Sequence, residues 1–299
     1  EVTHGFSTPI LYKPEKGLDE LIVPGSYQIN SYDVKTGKKL WWVRGLAWQV
    51  KSVPLISSGV LYFNNWAPGG DPGQQVELSP FDQVTREYDA NHDGKLAKEE
   101  LPKPLQPTGT WEAVDLDRDG LLNERDWIFF RARRASENST MAIKLGGRGD
   151  LTATNVLWKF RKSLPDVPSP LLYQGVLFLV KTGGIATTLN PATGEMLKQD
   201  RLSSAPGDYY SSPVGADGKV YMTSQAGKVS VLTAVANWEV LAVNDLEEDT
   251  FATPAIEDGR LYIRTRSVLY CFANKGKRDL PPVRYNRSFA CPQKPAQPK

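Results

Sequence analysis

The chain has 299 residues, 40% of them hydrophobic, enough for a sizeable core in one large domain or two small ones. Its formal net charge of +2 gives no ground for a strongly acidic or basic partner. Twenty-five Gly and 22 Pro argue against long helices, eight Trp, twelve Tyr and ten Phe favour sheet packing, and no run of 18 apolar residues is present to cross a membrane as a helix.

The chain opens on EVTHGFSTPILY, which resembles a strand and not a secretory signal. The expectation is that a signal has been removed or that further N-terminal sequence belongs to the protein. From here a motif of a small or hydroxyl residue and proline recurs: STP, SVP, PSP, SSP and ATP, with prolines at 9, 54, 170, 213 and 254. The intervals are 45, 116, 43 and 41 residues. After most of these prolines come a short apolar segment, a glycine turn and an apolar-aromatic strand, as in PLISSGVLYF, PLLYQGVLFLV, PVGADGKVYM and PAIEDGRLYI. A third strand follows, often ending in a tight turn, and a fourth leaves it carrying Trp41 and Trp42 in one copy and Trp158 in another. Four short strands per roughly 40–45 residues predict a propeller blade. Each small-x-Pro marks the start of an innermost strand, where crowding near the axis favours small residues and proline is tolerated. A β-sandwich with incidental prolines is the alternative, and the regular intervals speak against it.

The turns YDVKTGKKLWW and LNPATGEML resemble the tryptophan-docking repeats of the pyrroloquinoline-quinone-like propellers. That family includes quinoprotein alcohol dehydrogenases and a non-enzymatic propeller lipoprotein of bacterial outer-membrane protein assembly. The resemblance covers nearly all the chain outside about residues 66–140. It implies a mainly β fold, with about five blades visible here out of a seven- or eight-bladed ring, and a periplasmic or secreted location. A closed five-bladed ring is the alternative.

The second interval exceeds the others by about 73 residues, and the excess falls between LYFNNW and MAIKL, the second and third strands of one blade. The expected organisation is therefore propeller over 1–65, an insertion over 66–140, propeller over 141–290 and a disordered tail over 291–299. The insertion holds fifteen Asp and Glu against nine Lys and Arg, a net of −6. Within it, DANHDGKLAKEE has the ligand spacing of an EF-hand loop: Asp89, Asn91, Asp93, the carbonyl of Lys95, a water at Ala97 and Glu100, with Gly94 at the sharp turn. DLDRDGLLNERD repeats it with Asp115, Asp117, Asp119, the carbonyl of Leu121, Asn123 and Asp126, with Gly120 at the turn. Asp126 stands where Glu is usual and is one methylene shorter, so the expectation is two Ca²⁺ sites, the second weaker. Leu96 and Leu122 occupy the apolar position that faces a partner loop. Flanking helices are predicted over SPFDQVTREYDA and NERDWIFFRARRASEN, with TWEAVDL entering the second loop and Pro102 and Pro104 cutting short the exit from the first. In the last helix Trp127, Ile128, Phe129 and Phe130 are read as packing residues, and Arg131, Arg133 and Arg134 as a solvated face, not a nucleic-acid patch.

No nucleophile arrangement stands out. His4 sits at the start, His92 is inside the first loop, and GxSxG, HExxH and P-loop motifs are absent. Quinoprotein dehydrogenases use adjacent cysteines beside the cofactor, and the two cysteines here, Cys271 and Cys291, are 20 apart. A disulfide between them and two free thiols are equally compatible with the spacing. No pyrroloquinoline quinone site can be carried over. The sequence thus favours a non-enzymatic calcium-binding scaffold that binds a protein or small-molecule ligand on the propeller face bearing the insertion. It expects no nucleic acid, and membrane association only through an upstream lipid anchor. The alternative is a quinone-dependent oxidoreductase of small alcohols or sugars.

Overall fold

The computed structural model describes residues 5–107 and 109–273. His4, Cys291 and the tail over 291–299 lie outside the described residues. Five antiparallel sheets follow one another along the chain. The first is β1 (Ile10–Tyr12), β2 (Glu20–Pro24), β3 (Gln28–Asp33) and β4 (Lys39–Arg44). The second contains β5 (Leu55–Ser57), β6 (Val60–Asn65), β7 (Ser139–Lys144) and β9 (Val156–Phe160), while β8 (Gly149–Asp150) leaves it to pair in parallel with β4. The third is β10 (Leu171–Tyr173), β11 (Val176–Lys181), β12 (Ile185–Leu189) and β13 (Met196–Arg201). The fourth is β14 (Val214–Ala216), β15 (Lys219–Thr223), β16 (Lys228–Thr233) and β17 (Val240–Asp245). The fifth comprises β18 (Ala255–Glu257), β19 (Arg260–Arg264) and β20 (Leu269–Ala273). The predicted blades are therefore present, and each innermost strand begins directly after one of the five motif prolines.

Sequence dictates the local geometry. Ser58-Gly59, Gln174-Gly175, Asp217-Gly218 and Asp258-Gly259 each form a two-residue hairpin with both φ angles positive. That is the turn whose twist matches the strands on either side. The second strands of the middle blades, β6 and β11, are buried on both faces, which is why they read as unbroken apolar runs. In β6, Leu61 and Phe63 face a core shared with the first blade, and Tyr62 faces a core shared with the third. In β11, Leu177 and Leu179 face the second blade, and Phe178 and Val180 face the fourth. The hydrophobic cores thus lie in the seams between blades.

The pre-proline residues carry a second device. Val53 N–H donates to Ser169 Oγ at 2.9 Å, Ser169 N–H to Ser212 Oγ at 2.9 Å, and Ser212 N–H to Thr253 Oγ1 at 3.0 Å. Ser7 Oγ donates to the Ser52 carbonyl at 2.6 Å. The motif residues are therefore not merely small, as crowding near the axis suggests: the hydroxyls of Ser169, Ser212 and Thr253 accept backbone hydrogen bonds from the preceding blade, and that of Ser7 donates to the following one.

Docking of tryptophan is visible at the second seam. Trp158, on β9, lies over Gly194 in the β12–β13 turn and donates from Nε1 to the Pro191 carbonyl at 3.0 Å. A Cβ on Gly194 would stand 2.5 Å from the ring. The first seam is built differently. Buried Glu20 accepts from Trp41 Nε1 at 2.7 Å and Ser31 Oγ at 2.8 Å, and Arg148, just before β8, reaches it at 2.9 Å.

Residues 66–138 lie between β6 and β7, where the interval arithmetic places the insertion. Helix α1 (Phe81–Tyr88) and helix α2 (Glu124–Ala135) flank it, with single 3-10 turns at Lys103–Leu105 and Trp111–Ala113. The TWEAVDL segment is thus no more than a short turn. The segment has its own core of Leu78, Val84, Leu96, Trp111, Leu122, Trp127, Phe129 and Phe130, while Ile128 is exposed.

Candidate metal centre

The two twelve-residue loops, 89–100 and 115–126, lie side by side. Leu96 and Leu122, both fully buried, exchange two backbone hydrogen bonds of 3.0 and 2.9 Å. Within the loops the hydrogen bonds repeat position by position. The first carboxylate accepts from the glycine N–H at the sharp turn: Asp89 from Gly94 and Asp115 from Gly120, both at 2.9 Å. The fifth-position carboxylate accepts from the seventh N–H: Asp93 from Lys95 at 2.8 Å and Asp119 from Leu121 at 2.9 Å. The last carboxylate closes the loop onto the second and ninth N–H groups. Glu100 accepts from Ala90 at 3.0 Å and Ala97 at 2.8 Å, and Asp126 accepts from Leu116 at 2.9 Å and Asn123 at 3.0 Å. The shorter Asp126 therefore makes the same closure as Glu100. It does so from the first turn of α2, where Asn123 is the N-cap and the two residues form a reciprocal capping box.

Two observations bear on a cation. Asp89 is only 9% exposed and its Oδ1 has no hydrogen-bond partner. An unpaired buried carboxylate oxygen is costly unless a cation meets it. In the second loop, oxygens of Asp115, Asp117 and Asp126 converge to within 4.8 Å of one another. Among the described residues, Asp89, Asp93 and Glu100 do not converge as closely. Asn91 lies beside Asp93, donating from Nδ2 at 3.0 Å and accepting from the Asp93 N–H at 2.8 Å. Burial pushes the Asp126 carboxyl above its ordinary value, the Leu116 and Asn123 amides act against this, and the charges of Asp117 and Asp115 reinforce it. Asp119 is held below its ordinary value by a hydrogen bond from Lys95 and by the Leu121 amide. Lys95 and Leu121 enter the pattern through their backbone, as the seventh residue of each loop.

The arginines of α2 are a correction to the sequence reading. They are not a solvated face. Arg133 stacks over Trp48 at 4.0 Å from the ring centroid, and Arg131 Nε donates to the Leu78 carbonyl at 2.8 Å. Arg134 Nε is buried. Phe129 meets Tyr27 edge-on at 6.0 Å. Burial raises the Tyr27 phenol above its ordinary value, with the Arg133 charge opposing. Tyr27 lies in the β2–β3 turn and Trp48 in the connection from β4 to β5. In an antiparallel blade those two connections lie at the same end, so the insertion sits on that end. Its root is fixed by Asn138, which bonds Ala67 through both side-chain atoms at 2.9 Å and leaves no room for a Cβ on Gly70.

Sequence reasoning missed three arrangements: the inter-blade hydroxyls, the Glu20–Trp41–Arg148 cluster and the Arg133–Trp48 stack. Only the first left a signal, the repeated Ser or Thr before proline.

Five successive antiparallel sheets, with cores in their seams and Trp158 docked on the next blade's glycine turn, define a pyrroloquinoline-quinone-like β-propeller. Residues 18–280 match the family described as Outer membrane protein assembly factor BamB, and the chain belongs to that family. It is similar to the crystal structure of BamB from Moraxella catarrhalis, with a TM-score of 0.51 and 12% identity over 90% of this chain and 58% of that one. It is also similar to the computationally designed Ika8 protein, with a TM-score of 0.51 and 9% identity over 88% of this chain and 57% of that one. Such identities speak for the fold alone, and the chain spans less than three-fifths of either structure. A search of the curated proteins gives no match.

Proposed function

We propose that the protein is an extracytoplasmic β-propeller scaffold that carries a calcium-binding EF-hand pair and binds a partner, a protein or other ligand, on the face bearing the insertion. The observation that carries the calcium reading is the position-by-position repetition of loop hydrogen bonds in 89–100 and 115–126. It is supported by the orphaned Asp89 Oδ1. The first ion takes Asp89, Asn91, Asp93, the Lys95 carbonyl and Glu100, and the second takes Asp115, Asp117, Asp119, the Leu121 carbonyl and Asp126. The second site is the weaker, because Asp126 has less reach for bidentate contact. The family's description as an outer membrane protein assembly factor supports a periplasmic setting and a protein partner.

Calorimetric titration of the 299-residue chain tests the calcium reading. Two binding events are expected with dissociation constants on the order of 10⁻⁴–10⁻³ M. Linkage then adds about 1–2 kcal/mol of stability per site at several millimolar calcium. Glu100→Gln should cost more of that gain than Asp126→Asn. No calcium heat and no stabilisation at millimolar calcium would refute the site.

A further inference from the structure

Lys95 belongs to both loops. Its backbone serves the first, where its N–H is held by Asp93 Oδ1 at 2.8 Å. Its side chain crosses to the second, where Nζ donates to Asp119 Oδ2. The other oxygen of Asp119 accepts from Leu121 N–H at 2.9 Å, so both are engaged. The carboxylates that converge in the second loop are correspondingly Asp115, Asp117 and Asp126, without Asp119. The arrangement is not reciprocal. The residue equivalent to Lys95 in the second loop is Leu121, which carries no charge, and the equivalent of Asp119 in the first loop is Asp93, whose Oδ2 accepts from the neutral Asn91 amide at 3.0 Å. A strict two-fold relation between the loops is thus broken by one cation.

We propose that Lys95 is a built-in counter-cation that sets the affinity of the second calcium site. The proposal rests on the calcium reading of the two loops. A divalent ion entering the second loop must take Asp119 from the ammonium group and then remain beside a positive charge. Both effects oppose binding there; on the first loop the Lys95 charge bears on Asp93, and less than on Asp119 and Asp117. The Lys95–Asp119 pair is partly exposed, with side-chain exposures of 39% and 34%, so solvent screens it and the effect is moderate. The second loop therefore fills after the first, for a reason additional to the short Asp126. Because the Lys95 carbonyl is a ligand of the first ion, one residue joins the two occupancies.

The second loop has its own reporter. Trp111 Nε1 donates to the Gly120 carbonyl at 3.0 Å, placing an indole against that loop's sharp turn. Terbium luminescence excited through tryptophan, displaced by calcium, reads the second site, and loss of the signal in Trp111→Phe verifies the assignment. Calorimetry on the same full chain counts both sites. Lys95→Gln is expected to tighten the second site about three- to tenfold and to leave the first within about twofold. Lys95→Arg keeps the charge and should keep the original second-site affinity. In an Asp119→Asn background the gain from Lys95→Gln should shrink, since the pair no longer exists and only the charge left beside the ion remains to be removed. Two calcium events in the original chain with an unchanged or weakened second site in Lys95→Gln would overturn the role of Lys95 and leave the calcium reading standing. Equal shifts in the Gln and Arg variants would likewise overturn it. Absence of calcium binding in the original chain would overturn both.

Discussion

Replacing Gly194 by Ala tests the second seam directly, because Gly37 provides a matched control. Both glycines close a β3–β4-type turn with nearly the same backbone, φ +73° and φ +70°. An alanine at either position adopts a left-handed conformation that costs about 1 kcal/mol. At Gly37 nothing lies within 4 Å of the added methyl group, so the cost stops there. At Gly194 the methyl group would stand 2.5 to 2.8 Å from three ring atoms of Trp158. Either the indole or the turn must move, with about 1–3 kcal/mol of overpacking. The bond from Trp158 Nε1 to the Pro191 carbonyl is lost with it, about 1 kcal/mol more. Gly194→Ala should therefore be about 2–4 kcal/mol less stable than Gly37→Ala in urea unfolding at fixed calcium. In a Trp158→Ala background the two glycine variants should become equal. A difference below about 0.5 kcal/mol in the native background would show that the indole–glycine contact contributes nothing to the seam.

Other outcomes follow from the same geometry. Glu20→Ala removes the acceptor shared by Trp41, Ser31 and Arg148 and should cost about 2–3 kcal/mol in the same unfolding assay, with Glu20→Gln milder because an acceptor remains. Arg133→Met removes the stack on Trp48, worth about 0.5–2 kcal/mol, and should speed proteolytic cleavage within 66–138 while leaving cleavage of the blades unchanged. Acidification should act in two stages. In calcium-free buffer Asp126 is pushed up by burial, so its contribution favours the folded state as pH falls through its raised value. Asp33 and Asp245 are held low by the Lys35 and Glu247 amides, so the stability they give is complete above about pH 4 and is lost as pH falls through their folded values. Thermal unfolding between pH 2 and 6 reads this, and Asp33→Asn should flatten the acid limb.

The blades were legible because each is specified locally. Proline starts each of the five inner strands, and in four of the blades a residue-glycine pair turns the chain into the apolar strand that follows, so short patterns suffice to place the sheets. The insertion was legible as a length anomaly, and its loops as a fixed spacing of acidic residues. What sequence could not supply were partners far apart along the chain. Trp48 and Arg133 meet only because the insertion folds back on the first blade. Glu20 and Arg148 meet only because β8 crosses to β4. Ile128 was misjudged because a helix packed on one side and propped by arginines on another leaves part of its apolar surface in water. The Lys95–Asp119 pair depends on the relative placement of the two loops, which spacing within each loop cannot give.

The hydroxyl bonds between successive blades bear on how such a chain can grow. Three successive joints are split in the same way: one unit supplies an amide hydrogen, and the next supplies the hydroxyl oxygen that receives it. The joint spanning 116 residues is the same as those spanning 43 and 41. Residues 66–138 are therefore carried between the second and third strands of a unit without altering the bond by which that unit meets the next. The architecture separates what varies from what must mate, and residues 66–138 add a core of their own without redesign of the neighbouring blades.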